Sequence, residues 1–158
     1  MIYNMNIACM VLGCLMPNPS LCFSPKYPIN KQDFEPCRFD QIVYIGIARL
    51  AQNGAQTIGE VELDNCIKVN KAAYETWQDN KGLEFVDVTK SLANLENYEI
   101  YYSKLRKLSL IRELASQGFD ITEYYEGETD KTDNYSVPDI INAFESKTSA
   151  LRTKYDTH

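Results

Sequence analysis

From Asn97 to Tyr125 the chain runs without a proline and with a single glycine, Gly118. A shorter helical run, Val137–Asp156, follows after the acidic, glycine-bearing stretch Glu126–Ser136. This pair of runs constrains the fold more than any other feature. Read as one helix, the first run of roughly 29 residues would reach about 43 Å at 1.5 Å rise per residue, long for a globular helix. Two helices and a polar tip predict a helical hairpin. The apolar stripe of the first helix runs Tyr98, Tyr101, Leu105, Leu108 and then steps sideways to Ile111, Leu114, Gly118, Ile121, Tyr125. A stripe that changes face implies two partners along one helix. The second helix repeats Val137, Ile141, Phe144, Thr148, Leu151, Tyr155, with gaps alternating four and three, the seam spacing of a coiled coil. Ser136 reads as its N-cap, with Asp139 completing a capping box and Pro138 in the first turn. An antiparallel pairing would set Phe144 near Gly118 and Leu151 near Ile111, the glycine making room for the ring.

A chain of 158 residues fits one domain and can bury a real core. The net charge of −6 argues against nucleic-acid binding through a general positive field. Five cysteines (Cys9, Cys14, Cys22, Cys37, Cys66) show no C-x-x-C spacing, and the one histidine, His158, is the last residue. That excludes an ordinary zinc site and reads as reduced, mostly buried thiols. The apolar run Ile7–Met16 has no Lys or Arg before it and is too short to span a bilayer, so it reads as a buried amphipathic helix in a cytoplasmic protein.

Taken in order, Asn4 caps a first helix ending at Pro17-Asn18-Pro19, and Ser24–Asn30 is loop. Pro36–Asn53 is a strongly apolar helix that Gly54 stops. Thr57 or Gly59 opens the next, with Glu60, Glu62 and Asp64 as partners of the helix dipole. Asn70–Asn80 turns Ala73, Tyr74 and Trp77 inward, and Leu83–Leu95 does the same with Phe85, Val86, Val88 and Leu92. No strand of useful length shows. The expected fold is all-α: a compact head of short helices over residues 1–96, then a long C-terminal helical hairpin over 97–158.

Chemistry is sparse. There is no phosphate-binding loop, no dinucleotide-binding glycine pattern, and no interior base for a nucleophile. No catalytic residue, cofactor or metal is expected. Two surfaces remain. Ile111, Leu114, Gly118, Phe119, Ile121, Ile141, Phe144 and Leu151 are the expected self-association face. Lys104, Arg106, Lys107 and Arg112 form a basic cluster. That cluster reads first as a solvated helix face paired with Glu96, Glu99 and Glu113, and in the alternative as a contact for single-stranded DNA in a small helicase loader or adaptor.

Four pieces in a fixed order resemble the N-terminal domain of DnaB-type replicative DNA helicases. They are Val11-Leu12-Gly13 with Leu15-Met16 and a Pro-Asn-Pro turn; Asp33-Phe34 ahead of a helix ending Ala48-Arg49-Leu50; Gln52-Asn53-Gly54 before a helix near Thr57; and Asn97 with Tyr101-Tyr102, Arg106 and Leu110-Ile111-Arg112. Asn6 and Ala8 stand where the family usually has glutamates, and Phe39 where it often has a histidine. Such departures fit a divergent helicase of phage or mobile-element origin, or a protein that keeps only this domain. The resemblance implies a collar domain: a homo-oligomer, either a dimer or a trimer of dimers, that engages primase or a helicase loader and meets DNA only indirectly. ATP hydrolysis and unwinding would belong to a motor domain that these 158 residues do not contain.

Overall fold

The computed structural model describes residues 1–156, so His158 lies outside them. The chain is mostly helical, with seven α-helices and one small antiparallel strand pair among the described residues. The first helix, α1 (Met5–Leu15), is capped by the Asn4 side chain, which accepts from the Ile7 N–H. It is the central rod of the head, packed by α2 (Arg38–Gln52), α5 (Gly82–Leu92) and α6 (Tyr98–Ser116). Between α2 and α5 lie the short α3 (Glu60–Lys68) and α4 (Lys71–Asp79).

Helix crossings in the head are close because glycine sits at them. A Cβ on Gly13 would come within 2.6 Å of Ala93 Cβ and of the Thr89 carbonyl on α5. A Cβ on Gly46 would meet a Leu63 methyl of α3 at 2.7 Å. Trp77 is fully buried at the α4–α5 crossing, against Gly82, and its indole N–H donates to Asp64 at 2.8 Å. Asp64 also accepts from the Tyr74 hydroxyl at 3.3 Å. Of the three acids read as partners of the helix dipole, Asp64 instead accepts from two aromatic side chains, and Glu62 caps α3 at the Gly59 N–H.

Two helices stop by the same device. Gly54 has φ +93° and Gly118 has φ +89°, conformations that glycine adopts without the Cβ clash other residues meet. After α2, Gly54 N–H donates to the Ala51 carbonyl and Ala55 N–H to Leu50; after α6, Gly118 N–H donates to Ala115 and Phe119 N–H to Leu114, all at 3.0 Å. This is the Schellman stop, with Phe119 in the position that contacts the last turn. The helix expected to reach Tyr125 thus ends at Ser116. Gly118 is not an interior notch for Phe144, because nothing lies within 4 Å of the Cβ it lacks.

Beyond Gly118 the chain doubles back along α6. Tyr125–Glu126 (β1) pairs with Thr129–Asp130 (β2) around Gly127, which has φ +62°. Lys104 then ion-pairs with Asp130 at 2.9 Å and Asp133 at 2.6 Å, and Lys107 donates to the Thr132 carbonyl at 3.2 Å. These ties return the connector to the first half of α6. Accordingly α7 (Val137–Tyr155) starts beside the middle of α6. Contacts then step forward along both helices together. Val137 and Ile141 share a cleft with Arg106 and Leu110. Ile141 and Phe144 share the next groove with Leu114 and Phe119. The two helices run in the same sense, so the expected antiparallel contacts do not form. Phe144 meets Phe119 edge to face at 5.4 Å, and Leu151 stands exposed rather than against Ile111.

Two cores result. The larger fills the head and takes Tyr98 and Leu105 from α6. The smaller gathers Leu108 and Ile111 of α6, Tyr124 and Tyr125 of the connector, and Ile140 of α7. Since α6 serves both, packing does not break at residue 96. No helix of the described residues is long and apolar enough to cross a membrane.

Candidate interaction surface

Only Ile140 is buried on α7, and it is not a seam residue. Of the seam, Val137 and Phe144 are half-buried and the rest faces outward. Ile141 is 39% exposed and Leu151 57%, and every residue from Glu145 to Asp156 is exposed. Ser136 accepts from the Asp139 N–H while Asp139 accepts from Ser136, so the capping box expected at this end is formed. The helix thus has a capped start and an exposed distal half.

Alongside it lies a groove of about 370 Å³ lined by Leu110, Leu114, Phe119, Ile141 and Phe144, with Glu145 and Arg152 at its rim. The eight residues expected at a self-association face therefore separate. Leu114, Phe119, Ile141 and Phe144 come together in this groove, and Leu110, outside the expected set, joins them. Leu151 continues the same seam in the open. Ile121 is half-buried against the smaller core. Ile111 is fully buried inside the protomer and unreachable by a second molecule, because the connector folds over it. Gly118 is the helix stop described above.

The four cations have internal partners, and none of these is Glu96, Glu99 or Glu113. Arg106 grips both oxygens of Asp33 at 2.9 and 3.1 Å, and Asp33 is fully buried. Arg112 donates to the Ile2, Gln32 and Asp33 carbonyls at 2.7, 3.0 and 3.2 Å. Lys104 and Lys107 hold the connector. Burial and the neighbouring Lys104 charge push the Lys107 pKa down. The cluster is a clasp joining the head, the N-terminal strap (residues 1–4) and the connector to α6, and it leaves no open basic stripe there. Sequence spacing could not reveal this, because the partners lie 25 to 110 residues away. Tyrosines are also engaged within the chain: Tyr102 donates to the Pro28 carbonyl, and Tyr124 packs on Tyr135 at 4.9 Å.

Burial pushes the thiols of Cys9, Cys14 and Cys22 up to about 11, away from thiolate chemistry at neutral pH. The five cysteines are unbridged. Among the described residues no three His, Cys, Asp or Glu side chains are grouped to hold a metal ion.

No family model and no solved structure matches this chain. Among curated proteins it is similar to an SPbeta prophage-derived uncharacterized protein, YorI, of Bacillus subtilis strain 168. The two are 34% identical over 158 residues. That alignment takes in 93% of this chain and 31% of the relative, so the chain spans about a third of the relative's length.

Proposed function

We propose that this chain is a self-associating collar domain of a DnaB-type replicative helicase, acting in DNA replication by assembling a ring rather than by catalysis. The observation that carries the reading is α7. Its seam keeps coiled-coil spacing, and four of its six residues, Ile141, Thr148, Leu151 and Tyr155, are exposed in the protomer beside an apolar groove. A second copy laid along Ile141, Phe144 and Leu151 would cover both. In this reading the arm made of α6, the connector and α7 takes the place of the family's helical hairpin. The order of head, long helix and terminal helix supports it, as do the motif residues that the fold joins, Asp33 with Arg106 and Arg112. The relative's further length has room for a motor domain. Primase or a helicase loader would be met by the assembled collar, and DNA only through the motor.

The test is solution mass by light scattering on a sizing column across a range of concentrations, for the whole chain and for Phe144→Glu/Leu151→Glu. The expected result is a dimer or larger assembly that the double variant reduces to monomer with unchanged helical circular dichroism. A strict monomer at high concentration, or an assembly indifferent to the substitutions, overturns the reading.

A further inference from the structure

Three of the chain's five arginines have partners: Arg106 and Arg112 in the clasp, and Arg152 with Asp156 at 3.8 Å. The other two, Arg38 and Arg49, are exposed and make no ion pair, hydrogen bond or ring contact. That is unusual in a chain with 22 acids and a net charge of −6. Both stand on α2, separated by 11 residues. Eleven residues are close to three turns, so the pair shares one face with its Cα atoms about 16 Å apart. Ile42 and Ile45 come between them on that face. Both arginines line one groove of about 270 Å³, set between α2 and the corner where α3 meets α4. Ile42 and Ile67 are buried in it, and Ile45, Cys66 and Ala73 are half-buried along it.

The two arginines are the only charged residues lining this groove. Acids on the surrounding elements are engaged or turned elsewhere. Asp40 of α2 is buried and accepts from Tyr3, and Glu35 lines the separate cleft that Arg112 borders. At the start of α3, Glu62 is held at the Gly59 N–H, and neither it nor Glu60 meets an arginine. Asp64 accepts from Trp77 and pairs with Lys68. On α4, Lys71 and Glu75 each stand two residues from Ala73, about 200° round the helix and so on its far side. Asn70 lines the groove as well. Its side-chain oxygen accepts from the Ala73 N–H, and its amide N–H groups remain to be offered.

We infer that this groove is a docking site for an acidic amphipathic helix of a partner protein. Its apolar residues lie over Ile42, Ile45 and Ile67, and its carboxylates, about three turns apart, meet Arg38 and Arg49. Two cations in helical register beside an apolar floor are a pattern that a second helix of the same period matches. The guanidinium fork pairs with a carboxylate through two parallel N–H···O bonds, so the arginines fix the register while the floor anchors. Nucleic acid fits less well. No aromatic ring lines the groove for a base to stack on, and the net charge of −6 opposes a dense polyanion more than a helix with two matching acids. The inference stands apart from the α7 reading, since it uses a different helix on the larger core.

The probe is a fluorescein-labelled, alanine-based helical peptide with glutamates at i and i+11 and leucines at i+4 and i+7, followed by anisotropy against the whole chain. The same peptide with lysines for the glutamates is the control. Arg38→Gln/Arg49→Gln should weaken binding of the glutamate peptide by about tenfold or more, one order of magnitude in the equilibrium constant. Helical circular dichroism should not change, since neither arginine has a partner to lose. Arg38→Glu/Arg49→Glu should reverse the preference, so that the lysine peptide binds and the glutamate peptide does not. That reversal separates a matched register from general attraction, because the parent chain is itself acidic. Failure of the parent chain to bind the glutamate peptide, or equal binding by Arg38→Gln/Arg49→Gln, overturns the inference. So does tighter binding of a labelled oligothymidylate that the same substitutions abolish, which would make the arginines a nucleic-acid contact. A fall in the chain's own solution mass on those substitutions also overturns it, by making the groove a contact between copies.

Discussion

Helices α6 and α7 have the same length, 19 residues each, and both read as amphipathic, yet they are held in opposite ways. Along α6, Tyr98, Leu105, Lys107, Leu108 and Ile111 are buried, and four cations reach out to the head, the N-terminal strap and the connector. On α7 only Ile140 is buried, and the distal half touches water all round. An isolated helix of that size is marginal in water, since helices in proteins owe their stability chiefly to packing of one face. The contrast teaches that apolar periodicity marks a face that wants a partner without saying whether the partner is in the same chain. On α6 it is; on α7 the protomer supplies only the first turns.

The largest effect should come from testing that contrast directly. Ile111→Ala is expected to lower the unfolding free energy by about 2–5 kcal/mol, as for a fully buried aliphatic side chain. Leu151→Ala, measured by urea denaturation at a concentration where the chain is monomeric, should stay within about 0.5 kcal/mol. A large loss at Leu151 under those conditions would mean that the seam is covered within the protomer. Next in size is the clasp. Asp33→Ala leaves Arg106 without its bidentate partner and should cost about 3 kcal/mol. Because Arg106 is itself partly in water, the cost belongs near the lower end of the buried-pair range. Asp133→Ala removes only the exposed partner of Lys104, while Asp130 remains, and should cost well under about 1 kcal/mol.

A pH scan sharpens the same contrast on the anchored side. The N-terminal strap that Arg112 holds ends in a buried pair: the Tyr3 hydroxyl donates to Asp40 at 2.7 Å. Burial raises the Asp40 pKa above the usual carboxylate range, and the Tyr3 hydrogen bond only partly opposes that. The folded state therefore holds this proton more tightly than the unfolded chain. Stability from this group is present below the ordinary aspartate pKa and is lost as pH rises through the raised one. Thermal unfolding followed from about pH 4 upward should show this loss in the parent chain and not in Asp40→Asn. Parallel curves would mean that Asp40 titrates as an ordinary carboxylate.

Local signals were legible in the residues and long-range ones were not. Asn4, Gly54 and the Ser136–Asp139 box announce helix ends through chemistry within a few positions, and each end lies where that chemistry puts it. Gly118 carries the same stop as Gly54 but sits inside an unbroken apolar stripe, so the stripe hid it. The return of the connector depends on Lys104 meeting Asp130 across 26 residues, which no local pattern records. Val88 and Leu92 read as core because their spacing is that of a core, yet both stand exposed; which of two stripes on α5 turns inward was decided by small residues on α1 and α5. Of the proposed surface, the α7 seam was visible from its repeat, whereas the loss of Ile111 to the interior required the fold.

The smallest effect is expected where α6 enters the head. Tyr98 is 3% exposed, packed edge-on to Tyr27 at 5.3 Å, and its hydroxyl is the one buried side-chain polar atom without a hydrogen-bond partner among the described residues. A buried hydroxyl without a partner loses its water contacts and gains nothing in return, a cost of about 1–3 kcal/mol. Tyr98→Phe keeps the ring and its aromatic neighbours and removes that cost. It should therefore stabilise the chain, by about 1 kcal/mol or less since the small space left behind offsets part of the gain. The readout is a rise in the urea midpoint at unchanged slope. A fall would show that the hydroxyl has a partner, such as an ordered water, and that the anchored end of α6 is fully satisfied. If the midpoint rises, the best-packed end of the helix still carries an unmet polar group. Firm anchoring of α6 would then rest on apolar contact and the cation clasp, the two things the distal half of α7 lacks within one protomer.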